Sequence, residues 1–430
     1  MRLFREMPAT METASTGTLK VEARSLVGFR PLPGGTVTIR PTGSEQILEV
    51  LQTDESGNTP VVTLPTPPLE LSMVPEYAVN PYAQYDLIFQ SPEAESVFIQ
   101  GTQVFAGQES LQEIRAVDRD NPDIPEVPVT DQPDIIIGPN TLNGDFPPKI
   151  PEDPVKPLPT DESGFVVLND IVIPEFIVVH DGPPNSDAPN YWVRYDAYIK
   201  NVASCEIYST WPTSTITANV LAIMSFTLNR VFTEWYRNQG YNFTITSSTA
   251  YDHKFIYGRN IFNSIAQVVD SVLTNYITKP GIEQPLLTQY CDGQRVSCPG
   301  WMTQWGSKYL GNQGYSAIEI LRYFYGNSMY INTAEQVSGV PASWPRVDLQ
   351  VGSRGNNVRV IQEQLNAIAR NYPAIPTVTV DGIFGPETRA AVQKFQSVFN
   401  LPDSGVVDYP TWYKISEIYV AVTRIAELYQ

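Results

Sequence analysis

Cysteine and histidine are scarce in this sequence, which has three cysteines and two histidines among 430 residues. Three cysteines are too few for a disulfide framework, and their spacing leaves open whether Cys291 and Cys298 form a bridge. A tetrahedral zinc site needs four ligands, so with only His180 and His253 available we expect no metal, and we expect no other cofactor. A thiol nucleophile at Cys205 would need one of these histidines, and a buried, inert thiol is the expected state.

Basic residues and long apolar runs are also few. The chain has 28 Lys and Arg against 46 Asp and Glu, a net charge of −18, which argues against nucleic acid or an anionic membrane surface as partner. No run approaches the roughly 18 apolar residues of a membrane span, and residues 1–15 show no secretory signal. A glycan remains compatible with this charge, because sugars are bound mainly by stacking and hydrogen bonds.

Proline is abundant, at 37 residues, and its distribution divides the chain. Residues 1–16 are expected to be disordered, and residues 17–118 contain short β-branched runs between glycine-rich turns, which predict an antiparallel β-sandwich. Prolines recur with acidic residues over 119–163 and predict an extended linker without a packed core. This linker is either a plain spacer or an exposed processing site.

Residues 164–340 predict an α+β domain. A helix over Tyr195–Ala203 leads to Glu206, and a Trp211-Pro212 corner precedes a long helix that opens with capping hydroxyls at 213–215 and stops near Gly240. Glu206 therefore lies between two helices beside apolar neighbours, where a carboxyl can be partly removed from water, as a general acid requires. A glycine-rich aromatic loop follows Cys298 and leads into a helix over 316–325.

Residues 341–430 predict an all-α bundle. Two halves each carry a glycine turn followed by an amphipathic helix with a central glutamine, IQEQL and VQKFQ. The segments LQVGSRGNNVRVIQEQLN and DGIFGPETRAAVQKFQ resemble the peptidoglycan-binding-like domain found on many cell-wall hydrolases. The resemblance implies that this domain holds the chain on a glycan or its stem peptide. The turn assigned to this domain comprises Asp381, Gly382, Phe384 and Gly385.

The central domain resembles the catalytic domain of the stage II sporulation protein D family, which are lytic transglycosylases. The segments that carry this resemblance are YDAYIKNVASCEIYSTWP and GWMTQWGSKYLGNQGYSAIEILRYFYG. It implies that Glu206 is the catalytic acid/base. The expected substrate-binding residues are Trp211, Tyr251, Asp252, Tyr290, Gln304 and Trp305. Asp252 is also the alternative carboxylate for catalysis.

The order of the units resembles the SleC family of clostridial spore cortex-lytic enzymes. That resemblance implies a proenzyme whose β-rich pro-region is removed by a subtilisin-like protease at germination, and a location in the spore cortex or coat region. Two alternatives stay open. One is an ordinary hydrolytic muramidase or glucosaminidase, which would use a second carboxylate. The other is a non-catalytic, peptidoglycan-binding spore coat protein.

Overall fold

The computed structural model describes residues 15–26, 28–75, 79–119, 134–157, 170–340 and 344–423. These residues form β-sheets and eight α-helices in a multi-domain chain, with the last three helices together at the C-terminus. The disorder that we expect over 1–16 is wrong for residues 15–16, which begin a strand, and residues 1–14 lie outside the described residues. Residues 120–133 and 158–163 of the linker, and residues 424–430, also lie outside them.

The N-terminal unit consists of two sheets around one apolar core. Leu19, Val21 and Ala23 of one sheet pack against Val37 and Leu87 of the other. The strands are β1 Ser15–Ser25, β2 Thr36–Pro41, β3 Glu49–Gln52, β4 Val62–Thr66, β5 Ala83–Gln90, β6 Val97–Val104, β7 Glu109–Ala116 and β8 Asp134–Ile136. The sheets have the orders β13-β7-β1-β4 and β3-β2-β5-β6-β8. The purely antiparallel arrangement that we expected is wrong in part, because β1 pairs with β7 in parallel after the chain has passed through the second sheet.

Both sheets are completed by strands from later in the chain. Strand β13, Ile261–Phe262 of the central unit, pairs with β7, and β8 of the linker pairs with β6. Without these two strands, β7 and β6 would be the open edges of their sheets. The N-terminal unit is therefore joined to the rest of the chain by backbone hydrogen bonds as well as by side chains.

The central unit is built around one helix, α2, Thr213–Phe232. The other helices are α1 Tyr195–Glu206, α3 Asn263–Val272, α4 Gln304–Asn312 and α5 Ala317–Tyr325, and all four pack against α2. The remaining strands are β9 Val172–Ile173, β10 Phe176–His180, β11 Asn190–Arg194, β12 Ile245–Thr246, β14 Asn275–Thr278, β15 Tyr290–Cys291, β16 Met302–Thr303, β17 Tyr330–Thr333 and β18 Gln336–Val337. These strands form small sheets at the edges of the helical core.

Helix α2 is buried on all sides over 218–230, whereas its three-to-four spacing predicts a single buried face. Its length and mean hydropathy would suit a membrane span, but 89% of its apolar window is buried inside the protein, as in a core helix. The predicted hydroxyl cap is wrong: Pro212 is the N-cap, and the Thr215 hydroxyl donates to the Ser307 carbonyl instead. The helix ends at Phe232, and Gly240, with φ 89°, closes a separate short turn.

Helix α4 lies where the sequence predicts a glycine-rich loop. A Cβ on Gly311 would collide with the Thr215 hydroxyl, and one on Gly306 would collide with Thr303. Both glycines therefore allow close packing, of α4 against α2 in the first case and within the start of α4 in the second. Glycine-rich composition suggests a flexible loop here, whereas these glycines allow close packing of a helix.

The described linker does not span free solvent: residues 134–137 belong to the N-terminal unit, and residues 140–156 lie on the central unit. We call residues 140–156 the strap. After a turn at 141–144 it has neither helix nor strand, and it pairs with the central unit through Ile150, whose N–H donates to the Ala250 carbonyl, and Pro154, whose carbonyl accepts from Leu287. An extended segment cannot form a core of its own, but it can complete one that already exists.

The C-terminal unit is helical, as predicted. Its helices are α6 Asn356–Ala369, α7 Pro386–Val398 and α8 Tyr409–Thr423. The two central glutamines explain the internal repeat. Gln362 of α6 hydrogen-bonds the backbone of the turn at 382–383, and Gln396 of α7 bonds that of the turn at 405–406. Each helix therefore fixes the turn that follows it.

Candidate functional site

Glu206 is the last residue of α1 and is 4% exposed. The extended backbone of Ile207 turns the chain immediately after it. The neighbouring Cys205 and Ile207 are fully buried, so the carboxyl lies at the edge of the apolar core. The prediction of a carboxyl at the end of one helix, shortly before the next, matches this placement.

Three donors hold the carboxylate of Glu206. Its Oε2 accepts from the Thr141 hydroxyl at 3.0 Å and the Gln304 side-chain amide at 3.2 Å, and its Oε1 accepts from the Lys254 N–H at 2.8 Å. The Gln304 amide also donates to the Glu206 carbonyl at 2.8 Å. Two residues singled out from separate motifs, Glu206 and Gln304, therefore lie in direct contact.

A buried group of titratable side chains lies within electrostatic reach of Glu206. Burial lowers the pKa of Lys149 to about 8, although Glu206 opposes the shift, and the ammonium lies over the rings of Phe226 and Tyr290. Burial, followed by the nearby Glu206, raises the pKa of Tyr290 well above its ordinary value. Burial lowers the pKa of His253 well below its ordinary value, with Lys149 adding to the effect. Among the described residues, neither the Tyr290 hydroxyl nor His253 Nε2 has a hydrogen-bond partner.

An aromatic cluster lies at the α1–α2 corner. The rings of Trp211 and Trp305 are 5.0 Å apart between centroids, and Tyr208 lies 5.7 Å from the first and 6.0 Å from the second. Trp211 is 3% and Trp305 7% exposed. The Trp211 indole N–H donates to the Ser72 carbonyl of the N-terminal unit at 3.0 Å. The two tryptophans thus come together as a platform, and the N-terminal unit covers it.

Asp252 lies away from Glu206's hydrogen-bond partners, in a structural ion pair. It is fully buried, accepts from Arg230 at 2.8 Å and from the Tyr236 hydroxyl at 2.6 Å, and also accepts from the N–H and hydroxyl of Thr246. Its carboxylate therefore has protein donors on both oxygens, and the protein surrounds it completely. Tyr251 is half-buried, and its backbone carbonyl accepts from Arg230 at 3.3 Å.

Two residues of the site come from the strap, which sequence reasoning treated as a linker. Thr141 contacts the Glu206 carboxylate, and Lys149 donates to the Asp252 carbonyl at 2.5 Å. Asn140 bonds the carbonyls of Ser204 and Ile207 at the end of α1. A lysine in a proline-rich stretch is a weak signal, and no spacing rule would have placed Thr141 beside Glu206.

The three cysteines have structural roles or are buried. Cys291 and Cys298 form a disulfide, which settles the open pairing. Burial raises the pKa of the Cys205 thiol, and Arg259 Nη1 lies 3.3 Å from its sulfur.

In the C-terminal turn the side-chain amide of Gln362 donates to the carboxylate of Asp381, and its oxygen accepts from the N–H of Gly382. Phe384 is buried, and Gly385 is the N-cap of α7. A hydrogen bond from the Ile383 N–H, followed by that from Gln362, lowers the pKa of Asp381. Of this turn, the exposed Asp381 is the part that offers a polar group to solvent.

Comparison with known proteins identifies one part of the chain. Residues 354–415 match the family described as "Putative peptidoglycan binding domain". The zinc D-Ala-D-Ala carboxypeptidase of Streptomyces albus G is 39% identical over 71 residues, which are 16% of this chain and 26% of that protein. An uncharacterized protein in the bpoA1 3′ region of Kitasatospora aureofaciens is 44% identical over 62 residues, 14% of this chain and 48% of that protein.

The chain thus spans about a quarter and about half of the curated relatives that it matches. Among solved structures, the SleB N-terminal domain is 28% identical over 18% of this chain and 99% of its own, with a TM-score of 0.16. A score this low supports no structural argument. The C-terminal helical unit of this protein carries a domain of the peptidoglycan-binding family.

Proposed function

We propose that this protein is a lytic transglycosylase that cleaves peptidoglycan, with Glu206 as its single acid/base. The observation that carries the proposal is the buried contact between Glu206 and Gln304 beside a tryptophan pair. The peptidoglycan-binding domain supports peptidoglycan as the partner of this chain. Buried carboxylates with tuned surroundings are typical of catalytic acids, and aromatic rings are typical of sugar sites.

The reaction needs only one carboxyl group. Acting as the acid, Glu206 gives a proton to the oxygen that joins C1 of N-acetylmuramic acid to N-acetylglucosamine, and the C1–O bond breaks. The resulting carboxylate takes the proton from the C6 hydroxyl of the same muramic residue, and that oxygen forms a bond with C1. The product carries a 1,6-anhydromuramic end, and Glu206 regains its proton. Gln304 positions the carboxyl by donating to both its side chain and its backbone carbonyl.

Product analysis with a Glu206→Gln variant tests the activity. After proteolytic activation, we expect wild type to release fragments with anhydro ends and the variant to lose roughly 100-fold or more in rate. Glu175→Gln is the matched control, because Glu175 is a half-buried carboxylate that pairs with Arg194 outside the site. Reducing ends in the product would support an ordinary muramidase or glucosaminidase. Absence of cleavage by every form would support a non-catalytic coat protein.

The N-terminal unit is proposed to keep the enzyme latent. Its segment at 72–73 covers the tryptophan pair: Ser72 accepts from the Trp211 indole, and the Met73 carbonyl accepts from Lys308 at 2.5 Å. A sugar stacked on Trp211 would need the space and the indole donor that Ser72 occupies. Activation by proteolysis follows from this cover, since a cut allows the N-terminal unit to leave.

The activating cut is proposed to fall within 120–133, before the strap. A cut after the strap would remove Glu152 and leave the fully buried Arg230 with Asp252 as its carboxylate partner, and loss of one partner from a buried ion cluster is destabilising. Inserting a specific protease site at 120–133 and another at 158–169 tests this. We expect cleavage activity only after the first cut, and activity after the second cut alone would contradict the proposal.

The biological setting rests on the resemblance to the SleC family. We propose that the substrate is spore cortex peptidoglycan and that a subtilisin-like protease makes the cut at germination. Dormant spores should then hold the uncut chain and germinating spores the cut one. Detection of both forms by antibody in timed samples checks this sequence of events.

A further inference from the structure

The N-terminal unit also covers a face of the C-terminal unit, far along the chain from the tryptophan pair. The covered face is formed by the ends of α6 and α7: Asn371, Tyr372, Val398, Phe399 and Asn400. We call it the end face. All five residues lie within the segment that matches the peptidoglycan-binding family.

Strand β1 makes the main contact from the N-terminal side. Its odd residues enter the core of the N-terminal unit, and its even residues, Lys20, Glu22 and Arg24, point the other way. The side-chain amide of Asn400 bridges two of these charges, accepting from Lys20 at 2.6 Å and donating to Glu22 at 2.7 Å. Burial, which would raise the pKa of Glu22, is outweighed by Arg24 and Lys20, and its pKa is lowered.

Polar contacts to the turns of the N-terminal unit complete the cover. The Tyr372 hydroxyl donates to the Phe29 carbonyl at 2.8 Å, and the Asn58 amide donates to the Val398 carbonyl at 3.1 Å. The Arg24 guanidinium lies 5.6 Å from the centre of the Tyr372 ring. Arg24 is 1% and Tyr372 0% exposed, so the contact is dry.

The chemistry of this contact suits two surfaces that can dissociate, the outer face of β1 and the end face. A row of alternating charges on the outer face of a sheet is ordinary on a free domain in water, and buried ion pairs gain little over hydrated ones. The end face in turn offers an aromatic pair, Tyr372 and Phe399, at 5.0 Å between centroids, flanked by the amides of Asn371 and Asn400. Aromatic rings and side-chain amides are the groups that bind acetylated sugars and peptide amides.

We propose that the end face is a peptidoglycan-binding surface, occupied by the N-terminal unit until the chain is cut. This inference rests on the proposed function for its ligand and for the cut. The N-terminal unit competes with the glycan–peptide for the Asn400 amide and the Tyr372 hydroxyl. The same cut therefore opens the catalytic platform and the wall-binding surface.

Sedimentation with insoluble peptidoglycan measures the effect on full-length protein carrying the protease site at 120–133. We expect the cut chain to bind at least tenfold more tightly than the uncut chain. In the uncut chain only molecules with an open end face can bind, so the apparent affinity falls in proportion to their fraction. In the cut chain, Asn400→Gly should remove most of the gain. Glycine suits the left-handed backbone of Asn400, φ 58°, so the variant removes the amide without backbone strain.

A second variant tests the proposal without the inserted protease site. Lys20→Ala with Phe29→Ala removes the ammonium that contacts Asn400 and the ring that lies 6.4 Å from that of Tyr372. The double variant loosens the contact from the N-terminal side in the uncut chain and should raise its affinity. Arg40→Ala, in an ion pair away from the contact, is the control. Equal binding by cut, loosened and uncut chains, or undiminished binding by the Asn400→Gly cut chain, overturns the proposal.

Activity on soluble glycan fragments separates this inference from the proposed function. Cleavage of soluble fragments does not need attachment to the wall. If cutting increases the cleavage of soluble fragments but does not increase binding to insoluble peptidoglycan, the end-face proposal alone is refuted. Gain of sedimentation without any cleavage would refute the enzymatic proposal alone.

Discussion

Replacing Glu152 by glutamine should destabilise the central unit, because this strap residue completes a buried ion cluster. Arg230 donates to Glu152 at 2.6 and 3.0 Å, and Lys156 donates to it at 2.6 Å. The Arg230 side chain is 0% exposed and its other carboxylate partner is Asp252. Glutamine keeps the shape of Glu152 and one acceptor oxygen but removes the charge.

The expected loss is about 2–3 kcal/mol. Breaking a buried ion pair by removing one partner costs about 3–5 kcal/mol, and the retained Asp252 pair and the amide oxygen of glutamine reduce that figure. For a domain of this size the loss corresponds to a fall of about 5–10 °C in the melting temperature of the central unit. Differential scanning calorimetry resolves this transition from those of the other units.

The pH dependence gives a second signature. Burial, which raises the pKa of Glu152, is outweighed by Arg230 and Lys156, so its pKa lies below the ordinary value. The stabilisation is therefore present above the ordinary carboxyl range and is lost as pH falls through the lowered pKa. The difference between wild type and variant should shrink in acid.

Asp153→Asn is the matched control. Asp153 is the next residue of the strap, is exposed, and accepts a local N–H from Val155. Its substitution should change stability by less than about 0.5 kcal/mol. A Glu152→Gln effect no larger than that of the control would refute the view that the strap is part of the central core.

Three further changes test other contacts. Between pH 8 and 10.5 the unfolded chain holds the Lys149 proton and the folded chain does not. The free energy of unfolding of wild type should therefore rise by up to about 3 kcal/mol as pH rises through this range. Lys149→Met should lose this dependence in urea titrations. Gly311→Ala should cost about 1–3 kcal/mol in the same assay, because the new methyl meets the Thr215 hydroxyl. Gln362→Ala should cost about 1–3 kcal/mol in the melting of the C-terminal unit, because it leaves the turn donors at Gly382 unpaired.

Two controls accompany these changes. Gly138→Ala adds a methyl where the structure has open space and ordinary backbone angles, and it should be nearly neutral. Gln393→Ala removes an exposed hydrogen bond to the Asp403 carbonyl in the loop between α7 and α8 and should cost a few tenths of a kcal/mol. Losses in the controls that equal those in the test variants would contradict the contact-specific reasoning.

Periodicity is sufficient to locate the central helix, although it predicts one buried face where the helix is buried on all sides. Glu206 and Gln304 are candidates from the sequence alone. Their contact could not be derived, because it joins the end of α1 to the start of α4. The glycines at 306 and 311 indicated a loop, since composition does not distinguish glycine used for freedom from glycine used for close packing.

The roles of the strap and of Asp252 lay beyond sequence reasoning for a different reason. Proline restricts the conformation of its own residue but says nothing about what the extended chain lies against. From the sequence, Asp252 is a candidate catalytic carboxylate. Its ion pair with Arg230 and its hydrogen bonds to Tyr236 and Thr246 are visible only in the structure. Long-range partners decide both cases.

The exchange of strands β8 and β13 also sets an order of events during synthesis. The ribosome produces the whole of the N-terminal unit before residues 134–136 and 261–262, which cover its two sheet edges, exist. The nascent chain therefore presents β6 and β7 as open edges, which pair readily with other chains. A cell that makes this protein in quantity must protect those edges until translation passes Phe262, and slowing elongation between residues 116 and 262 should increase aggregation.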